Sequence, residues 1–96
     1  MINVNGIEIN DISELAIMDN LTNLDLSGCE IFDISVLSLH TELVNLDLSN
    51  NEIFDVTALT VLTKLVNLDL RGNQIDEKQI TRLKMALPNT NILSDY

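Results

Sequence analysis

The segment Leu21-Thr22-Asn23-Leu24-Asp25-Leu26-Ser27 returns as Leu43-Val44-Asn45-Leu46-Asp47-Leu48-Ser49 and again as Leu65-Val66-Asn67-Leu68-Asp69-Leu70-Arg71, 22 residues apart each time. A period in the twenties is the strongest constraint the chain carries. Each unit is too short to bury its own apolar positions, so successive units must stack and cover one another. The match runs on through Glu30-Ile31-Phe32-Asp33-Ile34-Ser35 and Glu52-Ile53-Phe54-Asp55-Val56-Thr57. Twenty-two residues upstream of the first full unit, Ile2, Val4, Ile9, Asp11, Ile12, Ser13 and Leu15 hold the equivalent positions, so the chain opens inside a first repeat.

Within each unit, Leu24 and Leu26 (Leu46 and Leu48, Leu68 and Leu70) alternate with polar neighbours, as in a strand with one buried face. Identical strands one unit apart can pair in parallel. The returning segments, such as Asp33-Ile34-Ser35-Val36-Leu37, place Asp or Ser/Thr as helix N-caps before apolar residues three apart, which predicts helical turns on the opposite side. Leucine and isoleucine number 17 and 11, against the aromatics Phe32, Phe54 and Tyr96, so the core must consist of aliphatic layers. From Asp76 to Leu87, Ile80, Leu83 and Leu87 stand at helical spacing before Pro88-Asn89, and a closing helix is expected there.

The pattern LxxLxLxxN/CxI is met by Leu21, Leu24, Leu26, Cys29 and Ile31, by Leu43, Leu46, Leu48, Asn51 and Ile53, and by Leu65, Leu68, Leu70, Asn73 and Ile75. In these residues the chain resembles the 22-residue class of the leucine-rich repeat family, found in bacterial internalins and in a eukaryotic phosphatase-regulating subunit. The first unit departs from the pattern with Ile7 at the Asn/Cys position, and Leu83 to Ile92 resembles a ribonuclease-inhibitor-type closing unit. The resemblance implies a short right-handed α/β solenoid of about four repeats, with a parallel sheet on its concave face, helical turns on the convex face and a C-terminal helix cap. One domain, 1–96, would comprise a truncated repeat 1–20, then 21–42, 43–64 and 65–96. It further implies a non-catalytic module that recognises a partner protein through Asn23, Asp25 and Ser27 and their equivalents Asn45, Asp47, Ser49, Asn67, Asp69 and Arg71.

In a parallel stack, equivalent side chains lie about 4.8 Å apart on one face, so repeated letters become columns. Asn23, Asn45 and Asn67 can bond to one another as an amide ladder. The carboxylates Asp25, Asp47 and Asp69 repel by roughly 1 kcal/mol per neighbouring pair in bulk water and more near a protein surface. This column is either a duplicated solvated face or a recognition stripe for a basic surface. Phe32 and Phe54, between Glu30 and Glu52 and Asp33 and Asp55, either stack to shield the turn below or anchor a partner. Asn51 and Asn73 are expected to satisfy backbone groups at the turn, with Cys29 a weaker structural substitute.

Fifteen acidic against five basic residues give a net charge of −10, and residues 1–63 hold eleven carboxylates with no Lys or Arg. That balance argues against nucleic acid or an anionic membrane as partner and for a protein with a basic patch. A narrower version, by analogy with ribonuclease inhibitor, is an inhibitor or immunity protein for a basic nuclease or toxin. No Gly-rich phosphate loop, no His/Cys metal spacing and no nucleophile with its base is present, so neither enzyme activity nor a cofactor is expected. His40, the one histidine, is expected at the surface of a convex segment. The lack of a signal segment predicts a cytoplasmic protein, whereas the internalin resemblance implies a secreted or surface protein, or a fragment of one. The N-terminal strand around Ile2 and Val4, with Ile7, Ile9, Ile12 and Leu15, would form an open edge. Either the chain forms a homodimer through that edge, favoured by the initiator-like Met1, or it is part of a longer protein whose earlier repeats have been removed; the structural alternative to partner binding is a self-associating fragment of a longer repeat protein.

Overall fold

A computed structural model of the chain describes residues 20–96 and the backbone of residues 2–3. Five strands, β1 (Ile2–Asn3), β2 (Asn23–Asp25), β3 (Asn45–Asp47), β4 (Asn67–Asp69) and β5 (Asn91–Leu93), form one parallel sheet in sequence order. The register follows the repeat: Leu24 pairs with Leu46 and Leu46 with Leu68, and Ile2 pairs with Leu24. A one-residue slip would turn each central leucine out to solvent, so the pattern itself enforces the pairing. The rest of the expected N-terminal dimer edge (Val4, Ile7, Ile9, Ile12, Leu15) lies outside the described residues.

The return segments of the first two full units form 3-10 helices, Ser35–Leu39 and Thr57–Val61. Asp33 and Asp55 act one step ahead of the formal caps: their Oδ1 atoms accept the N–H of Ser35 and of Thr57 at 3.0 and 2.9 Å. Between sheet and helical turns, leucines and isoleucines stack in columns, Leu21 on Leu43 on Leu65, Leu26 on Leu48 on Leu70, Ile31 on Ile53 on Ile75, Leu37 on Leu59. Repeating one aliphatic side chain per column lets every layer fill the same space without fresh packing solutions.

The chain turns out of each strand through a left-handed residue, again at the 22-residue period: Gly28, Asn50 and Gly72 have φ of 67°, 58° and 75°. Below that turn Asn51 is buried. Its Oδ1 accepts the N–H groups of Cys29 and Ile31, both at 3.0 Å, and its Nδ2 donates to the carbonyls of Leu26 and Leu48. Asn73 repeats the arrangement toward Ile53, Leu48 and Leu70. A loop that would strand polar backbone inside the stack is thereby satisfied by one amide per turn. Cys29, fully buried with its Sγ 3.5 Å from the Ser27 carbonyl, takes the corresponding place one turn earlier.

One expectation is corrected. His40 is buried, 5% exposed, and its Nε2 has no hydrogen-bond partner among the described residues. Its place in the repeat is that of Leu62, which is wholly buried, so the imidazole occupies a core position of the 3-10 layer.

After the third full unit the return path changes. Helix α1 (Glu77–Ala86) replaces the 3-10 turn, N-capped by Asp76, whose Oδ1 accepts the Gln79 N–H at 2.9 Å. It turns Ile80 and Leu83 into the stack and leaves Lys78, Arg82 and Lys84 exposed. The Gln79 side chain crosses to the previous turn, where its Oε1 accepts the Val56 N–H at 2.9 Å and its Nε2 donates to the Phe54 carbonyl. The longer return makes the last sheet step 24 residues, pairing Asn67 with Asn91.

Candidate functional site

Strands β2 to β4 are three residues long, with the central leucine buried and the flanking residues, Asn and Asp, facing out of the sheet. Parallel pairing therefore sets Asn23, Asn45, Asn67 and Asn91 in one column. From the second member on, each Nδ2 donates to the Oδ1 of the preceding turn: Asn45 to Asn23 at 2.5 Å, Asn67 to Asn45 at 2.8 Å, Asn91 to Asn67 at 3.5 Å; the Asn23 Nδ2 donates to the Thr22 hydroxyl at 3.2 Å. The ladder is thus bonded internally. Its fourth member, Asn91, escaped the sequence reading because it lies off the 22-residue step, although the Asn-Ile pair at 91–92 copies the Asn-Leu of each earlier strand.

The second column runs Asn3, Asp25, Asp47, Asp69, Leu93. Repulsion along it is offset locally. Asp25 Oδ1 accepts the Ser27 N–H at 3.0 Å and its hydroxyl at 2.7 Å, and Asp47 Oδ1 accepts the Ser49 N–H at 3.0 Å and its hydroxyl at 2.6 Å. In the third turn Arg71 stands where the serines stand. Its Nε reaches Asp69 Oδ1 at 3.0 Å and its terminal nitrogen reaches Oδ2 at 2.8 Å. These guanidinium bonds, with the Arg71 backbone N–H, hold the Asp69 carboxyl below the usual aspartate value against the opposing effect of burial. Reciprocally, Asp69 raises the Arg71 value, with smaller contributions from Asp47 and Asp95. The face carries a shallow depression of about 220 Å³ between Asp25, Asp47, Asp69 and Leu93.

Of the sequence-predicted site residues, the structure groups Asn23, Asp25, Ser27 and their equivalents along this sheet face, with Ser49 largely buried. Phe32 and Phe54 lie elsewhere, at the start of the return segments, 49% and 58% exposed. They line a groove of about 530 Å³ that runs between the two 3-10 helices over Ile34 and Ala58. Among the described residues, no group of three or more His, Cys, Asp or Glu could hold a metal ion, and no helix is long and apolar enough to cross a membrane.

A parallel sheet built one strand per 22-residue unit, each unit returning through a short helical turn, is the architecture of a solenoid repeat protein. A family model described as Leucine Rich Repeat matches residues 20–41. Among solved structures, an internalin, InlF, of Listeria monocytogenes str. 4b F2365 is similar at a TM-score of 0.69 and 26% identity over 92% of this chain and 33% of that one. Internalin C2 of the same strain gives 0.67 and 25%, covering 94% of this chain and 48% of that chain. A leucine-rich repeat protein of Leptospira interrogans gives 0.64 and 22%, covering 83% and 27%, a likeness of fold alone. The fold is consistent with a leucine-rich repeat protein, and the chain spans less than half the length of these structural neighbours. A comparison with curated proteins found no match. None of these similarities bears on the ribonuclease-inhibitor-like reading of Leu83 to Ile92.

Proposed function

We propose that the protein, as one repeat domain over residues 1–96, is a non-catalytic module that binds a partner protein with a basic patch on its concave Asp/Asn face. Leucine-rich repeat domains generally mediate protein–protein interaction, which supports the class. The observation that carries the reading is the contrast along the Asp column. Asp69 is neutralised by Arg71, whereas among the described residues Asp25 and Asp47 bond through Oδ1 to their own serines and no Lys or Arg pairs with them. Two outward carboxylates on a rigid sheet, held in place by hydrogen bonds, present an ordered negative surface, and such a surface orients and accelerates the approach of a cationic partner. The neighbouring Asn ladder, already bonded to itself, supplies a flat and rigid floor.

Affinity capture from source-cell lysate tests this at low and moderate salt, comparing the native chain with the triple variant D25N/D47N/D69N. The expected result is a discrete protein held by the native chain and released both by the variant and by salt. Equal recovery by both forms, or recovery of the chain alone, removes the concave face from the interface.

A further inference from the structure

We infer that the groove between the two 3-10 helices is a second docking surface, fitted to an arginine-bearing extended segment of a partner protein. It shares no residue with the Asp/Asn face and goes beyond that reading. Two half-exposed rings, Phe32 and Phe54, stand on successive turns at one position of the repeat, above a floor of Ile34 and Ala58. Around the rings all four acidic positions are exposed: Glu30, Asp33, Glu52 and Asp55. Asp55 is bonded to the Thr57 hydroxyl at 2.7 Å, first among the causes that hold its carboxyl below the usual value, so it keeps its charge. The Glu30 and Glu52 carboxylates have no hydrogen-bond or ion-pair partner among the described residues. No cation lies within these two turns, since residues 20–63 contain neither Lys nor Arg.

A purely apolar occupant would cover the rings and strand the carboxylates beside a desolvated surface, which costs free energy. A cation that also stacks satisfies both. The planar guanidinium is weakly hydrated, lies flat on an aromatic face and offers several N–H donors to flanking carboxylates, whereas the compact, strongly hydrated ammonium of lysine does this less well. The adjoining groove, beyond Phe54, is walled by Lys78 and Arg82 of α1. Like-charge repulsion there confines the arginine to the Phe32–Phe54 side.

The test is an NMR titration of the 15N-labelled chain with the peptide acetyl-Ala-Arg-Ala-Arg-Ala-amide and with its lysine and citrulline counterparts. Amide shifts are expected at Phe32, Phe54, Ser35 and Thr57, with the arginine peptide bound about fivefold more tightly than the lysine peptide, and no binding by citrulline. F32S/F54S should abolish these shifts, and F32L/F54L, which keeps the apolar volume, should erase the preference for arginine over lysine. D25N/D47N/D69N should leave both unchanged, so a failed concave-face reading is distinguishable from failure here. Equal affinity for arginine and lysine peptides, shifts confined to the Asn and Asp columns, or undiminished binding by both Phe variants would overturn the inference.

Discussion

His40 and Leu62 hold the same position one unit apart, and the pair measures what a polar intruder costs in this core. A buried imidazole nitrogen without a partner forfeits the hydrogen bonds it had in water. His40→Leu, which extends the Leu62 column, is therefore expected to raise the unfolding free energy by about 1–2 kcal/mol, read from urea denaturation. Burial at this position was legible, because Leu62 marks it as apolar; residue type alone suggested the surface, and the column was the better guide. The left-handed turn gives a paired comparison. A Cβ on Gly72 would lie 2.3 Å from Asn50 Oδ1 and 3.2 Å from the Asn50 Cα, whereas one on Gly28 meets nothing within 4 Å among the described residues. Gly28→Ala should cost about 1 kcal/mol from the positive φ alone, and Gly72→Ala should cost more, since Asn50 must also move. Equal losses would show that Asn50 yields freely. The Asp69–Arg71 pair has a pH signature. A carboxyl held below its unfolded value stabilises the fold above that value and loses the contribution as pH falls through the depressed folded value. Stability of the native chain should therefore fall more steeply below the ordinary aspartate range than that of Arg71→Ala. The difference should be small, because the guanidinium is largely exposed and solvent screens the pair.

Among the elements, the strands were the most legible and α1 with β5 the least. Strands β2 to β4 repeat a motif whose register allows one solution, and the amide and carboxylate columns followed directly from it. The helix over 76–87 was readable from Ile80, Leu83 and Leu87, but its means of attachment was not. Gln79 lies outside the repeat pattern, and only three-dimensional placement shows that its amide substitutes for the backbone of a next turn, bonding Val56 and Phe54. Gln79→Ala should leave the Val56 N–H without its acceptor. The expected consequence is faster hydrogen exchange at Val56 and a loss of about 1–2 kcal/mol, with exchange at the β3–β4 amides unchanged apart from global unfolding. Exchange at Val56 that matches the native rate would mean that the clamp is not formed in solution. The groove at Phe32 and Phe54 was half legible: the sequence placed the rings on one rim, but the floor of Ile34 and Ala58 and the basic wall at α1 needed the packing of three elements.

At the scale of the whole molecule, the described residues 20–96 stack in layers whose charge changes sign along their length, acidic over residues 20–63 and basic on the exposed side of α1. From β2 to β4 each strand pairing repeats the one before, so length is separable from the ends. Splicing a second copy of residues 43–64 between Lys64 and Leu65 should give a longer stack with a larger urea m-value and a higher midpoint, as expected when every added turn contributes one more favourable interface. An unchanged m-value would show that the extra turn stays unfolded. The amide ladder sets a further condition on such lengthening. Each link in it points backward, from Asn91 to Asn67 to Asn45 to Asn23, so that Asn45 and Asn67 both donate to the turn before and accept from the turn ahead. The column is consequently a row of side-chain dipoles with a head and a tail, in which each bond polarises the next. A turn added in the same sense extends the row; a turn joined in the opposite sense would set carbonyl against carbonyl. The solenoid carries an arrow in its side chains, and anything that prolongs it must point the same way.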